Sequence, residues 1–232
     1  MDRSFEAARN LMVDGQVRPN KVTDSRLIAA LRSLPRERFL PAELRPLAYA
    51  DDDVPLPDGR VMMEPMVLAR LIQLSAVREG ERALVVGSGT GYGAAVLDAC
   101  GARVVALEED KALLAQSQKV LAAIAPRVTV VQGRLSQGWA SDAPFDVILI
   151  EGAVTEVPDE IAAQLRPATP AGGGRLVTVM LRGDGGPMAM GQSGVGQGGV
   201  GEVAGGAFSF QPVFDCATPV LPALRRAPGF VF

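Results

Sequence analysis

Four apolar residues running into alternating glycines leave a chain few ways to fold. Ala83-Leu84-Val85-Val86 shows no polar alternation, so a strand made from it is covered on both faces, as in a parallel sheet. It continues directly into Gly87-Ser88-Gly89-Thr90-Gly91-Tyr92-Gly93. Glycines at alternate positions let the backbone turn sharply and pass close to a ligand where a Cβ would stand in the way. A strand, a glycine turn and a helix in that order mark the ligand-binding edge of an open α/β sheet, beyond the carboxyl ends of its strands.

The segments on either side continue this pattern. Val104 to Leu107 reads as a second buried strand ending at Glu108, Val128 to Val131 as a third, Phe145 to Ile150 as a fourth and Leu176 to Leu181 as a fifth. Helical spacing separates them: Ala94 to Cys100, then Leu113, Ser117, Val120 and Ile124, then Ile161 to Leu165. Alternating strands and helices imply right-handed crossovers and a doubly wound, mostly parallel sheet. Ahead of the sheet, Phe5, Ala8 and Met12 line one helix, and Leu27, Ile28, Leu31 and Leu34 line a second, capped by Thr23-Asp24-Ser25. Two helices alone make no core, so both are expected to pack on the domain beyond them. Glu64-Pro65 opens a third, with proline at its first position.

The expected organisation is a single domain over residues 1–232. Its parts are an N-terminal helical entry segment (1–75), a cofactor-binding core (76–182), a flexible loop (183–206) and a C-terminal strand and tail (207–232). The loop expectation rests on composition. Eleven of its 24 residues are glycine, too little apolar surface to offset the entropy of ordering. Phe208 and Phe210 alternate in the edge strand after it, and the tail reads as an extended segment with aromatic anchors. The acidic run Asp51-Asp52-Asp53 reads as a solvated loop rather than a cation site, because three successive side chains point in different directions.

Composition removes several kinds of chemistry. There is no histidine in the 232 residues, which takes away the commonest general base, Ser-His-Asp catalysis and most zinc sites. A net charge of −3 argues against a broad nucleic-acid surface. No window approaches the ~18 apolar residues of a membrane span, and the first twenty residues lack a signal peptide's apolar core, so a cytoplasmic location is expected. Cys100 and Cys216 are far apart and read as unpaired thiols, and no metal site is expected.

The turn admits two cofactor classes. The frame starting at Gly87 puts Tyr92 where a dinucleotide motif wants its third glycine, whereas the frame Gly89-x-Gly91-x-x-Ala94 fits a looser dinucleotide pattern. Gly87-x-Gly89-x-Gly91 is also the spacing common in S-adenosylmethionine enzymes, where the turn packs on the cofactor's amino-acid part and sugar. Glu108, 21 residues after Gly87 at the end of the second strand, is placed to accept hydrogen bonds from ribose hydroxyls, which both classes offer. Glu109 and Asp110 come next, one of them suited to capping the next helix.

Several further segments point to one family. Arg36-Glu-Arg-Phe-Leu-Pro41, Ala48-Tyr-Ala-Asp51, Met66-Val-Leu-Ala-Arg70, Leu84 to Tyr92, Gln137-Gly-Trp139, Ala143-Pro-Phe-Asp146 and Phe210-Gln-Pro212 resemble protein-L-isoaspartate O-methyltransferases. The resemblance runs from about residue 10 to 182. It implies a Rossmann-like class I methyltransferase fold, S-adenosylmethionine as donor, and a protein or peptide substrate carrying isoaspartyl residues. On this reading Gly87, Ser88, Gly89, Thr90, Gly91, Tyr92, Glu108, Glu109, Arg134 and Leu135 hold the cofactor. The acceptor lies beside Met62, Met63, Glu64 and Glu151. The departures are specific. The family's Gly-Gln-Thr-Ile-Ser-x-Pro is matched by Gly59-Arg-Val-Met-Met63-Glu-Pro65, so Met63 stands in the place of the active-site serine and no catalytic residue is assigned. Arg134 stands where an adenine-contacting carboxylate is expected. Val85-Val86 lacks the carboxylate the family places near the cofactor's amino group. Two other readings stay open: a methyltransferase for a different acceptor, or a non-catalytic nucleoside-binding protein.

Overall fold

A computed structural model describes residues 3–170, 172–181 and 193–225 of the chain. Helix α1 (Arg3–Met12) continues into a wider π-helical turn at Val13–Val17, and α2 (Ser25–Ser33) comes next. Asp24 caps α2 by accepting from Arg26 N and Leu27 N at 2.8 and 3.3 Å, which satisfies donors that a helix start leaves free. A small hairpin, β1 (Val54–Pro55) and β2 (Val61–Met62), then leads into α3 (Pro65–Ser75). As expected, both N-terminal helices pack on the body. Arg26 reaches from α2 to Val77 O at 2.8 Å.

The alternating part comprises β3 (Arg82–Val86), α4 (Tyr92–Ala99), β4 (Arg103–Glu108), α5 (Lys111–Ile124), β5 (Thr129–Gln132), β6 (Val147–Val154), α6 (Asp159–Ala162) and β7 (Arg175–Leu181). After it come two long strands, β8 (Ser193–Ala204) and β9 (Ala207–Pro219). The sheet order is β5-β4-β3-β6-β7-β8-β9. Its first five strands are parallel and its last two antiparallel. This is the Rossmann-like class I methyltransferase architecture expected from the sequence. From β3 the chain winds outward to β5 and then returns to lay β6 beside β3. The crevice between the carboxyl ends of β3 and β6 is therefore the topological switch point.

The unbroken apolar run of β3 is explained by its two neighbours. Ala83 and Val85 join a core with α1–α5 and the N-terminal residues, while Leu84 and Val86 join a second core with Ile148, Ile150, Ile161 and Leu165. Burial of each such side chain contributes ~1.5–3 kcal/mol, which makes β3 a firm support for the turn that follows it.

The glycine-rich stretch corrects one expectation. Residues 193–204 are a strand, not a flexible loop, paired with β7 on one side and β9 on the other. Neighbouring phenylalanines supply the apolar surface that the glycines lack. The Phe208 ring lies 2.3 Å from where a Cβ on Gly201 would be, the Phe210 ring 2.7 Å from that of Gly199 and the Phe214 ring 2.2 Å from that of Gly198. Rings from β9 cover the bare backbone of β8, so counting apolar residues within 183–206 missed the partner strand. The remainder of that stretch, 183–192, and the aromatic tail from 226 lie outside the described residues. Cys100 and Cys216 are free thiols. Among the described residues no helix is long and apolar enough to cross a membrane.

Candidate active site

The turn after β3 has the left-handed backbone its glycines permit, with φ of +73°, +55° and +94° at Gly87, Gly89 and Gly91. It is joined to the neighbouring strand, since Gly87 N and Ser88 N both donate to Leu107 O, at 3.0 and 3.1 Å. Gly91 N donates to Ser88 O at 2.8 Å, and α4 begins one residue later. Gly93 has ordinary helical geometry but is needed for a different reason. A Cβ there would sit 1.8 Å from Glu151 Oε1, so the first turn of α4 and a carboxylate from β6 occupy one another's space.

Glu108 lies where the sequence placed it, at the tip of β4 facing the turn, and is fully buried. Its Oε2 accepts from Gly89 N at 2.7 Å, and its Oε1 from Glu109 N and Asp110 N at 2.9 and 3.1 Å. Arg60 adds two more bonds, Nη1 to Oε1 at 2.9 Å and Nη2 to Oε2 at 3.0 Å. Arg60 Nη2 also donates to Gly87 O at 2.7 Å. Sequence reasoning did not single out Arg60. It occupies the second place of the run Gly59–Pro65, and no local spacing signals that a residue 48 positions before Glu108 will pair with it. Leu221 was missed as well. Its Cδ2 lies 2.9 Å from the Cβ position of Gly87, and its backbone N donates to Ala153 O at 2.8 Å. The cavity among Gly59, Arg60, Glu151, Gly152 and Leu221 measures about 10 Å³, at the lower limit for a single water.

Glu151 is in the crevice too, although the sequence placed it at the end of its strand. Strand β6 runs on to Val154 through a register shift between Leu149 and Ala153. Since Val86 pairs with Ile150, Gly87 and Glu151 are the next residues along neighbouring strands. Burial pushes the Glu151 carboxyl up to about 8; Glu108 adds to the rise, while Arg60 and Arg36 oppose it. Its Oε1 is buried without a hydrogen-bond partner, and so is Ser88 Oγ in the turn.

Arg36 supports the floor of the site. It is wholly buried, donates from Nε to Ala48 O at 2.7 Å and from Nη2 to Met63 O at 2.6 Å, and lies 4.7 Å from the centre of the Tyr92 ring. Met62 and Met63 are both buried, so in this conformation Met63 presents its carbonyl to Arg36 and its side chain to the core. Glu64 is half-buried. Burial, followed by Asp51, Asp53 and Asp52, pushes its carboxyl up to about 7. The acidic run is only partly the solvated loop expected. Asp51 and Asp52 are exposed, but Asp53 accepts from Glu64 N at 2.7 Å and Thr218 Oγ1 at 2.9 Å. It ties the last strand to the start of α3. The different directions of successive side chains produce this split.

The remaining expected residues form a rim. Glu109 is exposed and accepts from Leu135 N at 3.1 Å, Leu135 is buried, and Arg134 is exposed beyond β5. Asp110 is the helix cap, accepting from Leu113 N at 2.8 Å. The fold thus brings together Gly87 to Tyr92, Glu108 and Glu151. Arg134 is the exposed member of the rim beyond β5.

Known proteins are similar to this chain over most of its length. Residues 8–184 match the family model for protein-L-isoaspartate(D-aspartate) O-methyltransferase. A protein-L-isoaspartate O-methyltransferase of Methylorubrum populi is 38% identical over 185 residues, covering 77% of this chain and 87% of that protein. One from Koribacter versatilis is 37% identical over 174 residues, covering 75% and 76%. Among solved structures, a protein-L-isoaspartate O-methyltransferase is similar with a TM-score of 0.74 at 20% identity, over 91% of this chain and 65% of that one. A Plasmodium falciparum structure of that description, in complex with S-adenosyl-L-homocysteine, has a TM-score of 0.68 at 18% identity, over 94% and 97%. At these identities the two structures speak for the fold alone.

Proposed function

Because the chain belongs to the protein-L-isoaspartate O-methyltransferase family, we propose how its own residues divide the work of methylating isoaspartyl carboxylates in damaged proteins with S-adenosylmethionine as donor. The observation that carries the assignment is the glycine turn between β3 and α4, with the buried Glu108 carboxylate bonded to Gly89 N at its centre. The residues fit the cofactor's chemistry. Gly87, Gly89 and Gly91 offer backbone without a Cβ at the switch point. The Glu108 oxygens that Arg60 now holds would accept from a diol. The unpartnered Glu151 Oε1, facing the first turn of α4, offers a polar group near the place of the carboxylate that Val85-Val86 lacks.

Gly87 to Tyr92 and Glu108 would hold the nucleoside and amino-acid parts, with Glu109, Arg134 and Leu135 at the rim. Met62, Met63, Glu64 and Glu151 would border the acceptor. When bound, S-adenosylmethionine supplies a methyl carbon on a sulfonium, already activated toward a nucleophile. A carboxylate acceptor is ionised at neutral pH. The chain therefore has to hold an oxygen in line with the carbon–sulfur bond and exclude water; it has no proton to remove. The lack of histidine in this sequence costs such a reaction nothing.

The test is methyl transfer to a peptide containing one isoaspartyl residue, with the normal aspartyl peptide as control. A base-labile methyl ester is expected on the first alone. No ester, or ester on both, contradicts the assignment. One observation favours a second reading, in which a different acceptor is used: the family's serine position holds Met63, which has no hydroxyl and is 1% exposed. Under that reading Met63→Ser raises isoaspartyl transfer at least tenfold, roughly the worth of one hydrogen bond to a charged group. An unchanged rate in an active enzyme leaves the isoaspartyl carboxylate as the acceptor.

A further inference from the structure

Resting on the assignment of S-adenosylmethionine to the glycine turn, we propose that Arg60 is an internal competitor for the cofactor's ribose site, and so sets how tightly this chain holds its donor. A carboxylate offers about four lone-pair positions. Those of Glu108 are fully committed, to three backbone N–H groups and to two guanidinium nitrogens at 2.9 and 3.0 Å. The backbone donors are fixed by the strand and turn. A pair of ribose hydroxyls can reach Glu108 only where the guanidinium now is.

Arg60 also closes the turn itself. Its Nη2 donates to Gly87 O at 2.7 Å and lies 3.2 Å from the Cβ position of Gly87 and 4.0 Å from that of Gly89. Leu221 packs on the same glycine and Leu56 on Gly89, the latter at an ordinary 3.7 Å from the Cβ position. Arg60 and Leu221 line the small cavity already described. The turn and the ribose acceptor are therefore both in place and both covered, and the cover is anchored by charge rather than by packing alone.

The mounting of Arg60 suits a part that can withdraw. It precedes β2, in a two-stranded ribbon of two residues per strand, held by Leu56 N to Arg60 O at 2.8 Å and Arg60 N to Pro57 O at 3.1 Å. Such a ribbon is marginal by itself, unlike the strand and helix that carry Glu108 and the turn. Glu151 lines the same cavity as Arg60, so a displaced guanidinium has a second carboxylate beside it. Cofactor entry exchanges one set of charge-assisted hydrogen bonds for another. The affinity measured is the difference between the two.

The experiment is equilibrium dialysis with radiolabelled S-adenosylhomocysteine, which needs no turnover, on the native chain, Arg60→Ala and Arg60→Gln. Arg60→Ala is expected to bind about tenfold tighter or more, the worth of one or two bonds to a charged group. Arg60→Gln, which can keep one bond to Glu108, is expected between the two. In the absence of ligand both variants are expected to melt at lower temperature, because the pair with Glu108 is gone. Lower stability with tighter binding separates a competitor from a merely structural arginine, whose loss lowers both. Equal or weaker binding by a variant with a native circular dichroism spectrum overturns the proposal, and Arg60→Gln decides the matter if the alanine variant does not fold. If none of the three proteins binds, the cofactor assignment falls and the proposal falls with it.

Discussion

Replacing Glu151 with glutamine is expected to stabilise the protein at pH 8 by ~2–4 kcal/mol and to remove most of its loss of stability between pH 5 and 8. The carboxyl is buried beside the first turn of α4 and pushed up to about 8, against an unfolded value near 4.5. Between those values the folded chain binds a proton that the unfolded chain has released. Stability therefore falls as pH rises through this window and levels off above it. Glutamine keeps the shape and has no charge to bury. Urea unfolding at pH 5 and pH 8 measures the effect. Parallel pH slopes for the two proteins would show that Glu151 is ionised at little cost. Glu64, half-buried and raised to about 7, adds a smaller slope of the same sign.

Removing Glu108 acts in the opposite direction. Glu108→Ala leaves the Arg60 guanidinium buried without its carboxylate and frees three backbone donors at the tip of β4. Breaking a buried pair from one side costs ~3–5 kcal/mol, because the remaining charge is uncompensated. That loss is expected in urea unfolding, together with loss of cofactor binding. The double variant Glu108→Ala with Arg60→Ala should recover part of the stability but none of the binding, since the stranded charge is gone and the ribose acceptor is not restored. A loss below ~1 kcal/mol in the single variant would mean that the pair is worth no more than an exposed one.

The sequence was informative wherever one segment carries its own signal. The apolar run at Ala83–Val86 announced a strand covered on both faces. The alternating glycines announced the turn, and the spacing to Glu108 placed a carboxylate opposite it. The structure keeps all three. What could not be read locally depended on a partner elsewhere. Gly198, Gly199 and Gly201 looked too poor in apolar atoms to order, because the rings that cover them belong to Phe214, Phe210 and Phe208 on the next strand. Arg60 gave no sign of its destination, since an arginine between short apolar stretches reads as a solvated charge until the hairpin folds it back onto β4. Leu221 had the same problem from the other end of the chain, beyond the residues that match the family model. Glu151 was found, but its setting was not: it is buried against Gly93 in the first turn of α4, a neighbour supplied by another element.

The most direct measurement is a crystal structure of the native chain grown with saturating S-adenosylhomocysteine. The expected result is ligand at the turn from Gly87 to Tyr92, its ribose hydroxyls on Glu108 and the Arg60 guanidinium withdrawn from that carboxylate. Ligand bound elsewhere would contradict the placement of the donor on this turn; ligand on the turn with the Arg60–Glu108 pair intact would contradict the displacement of Arg60 alone.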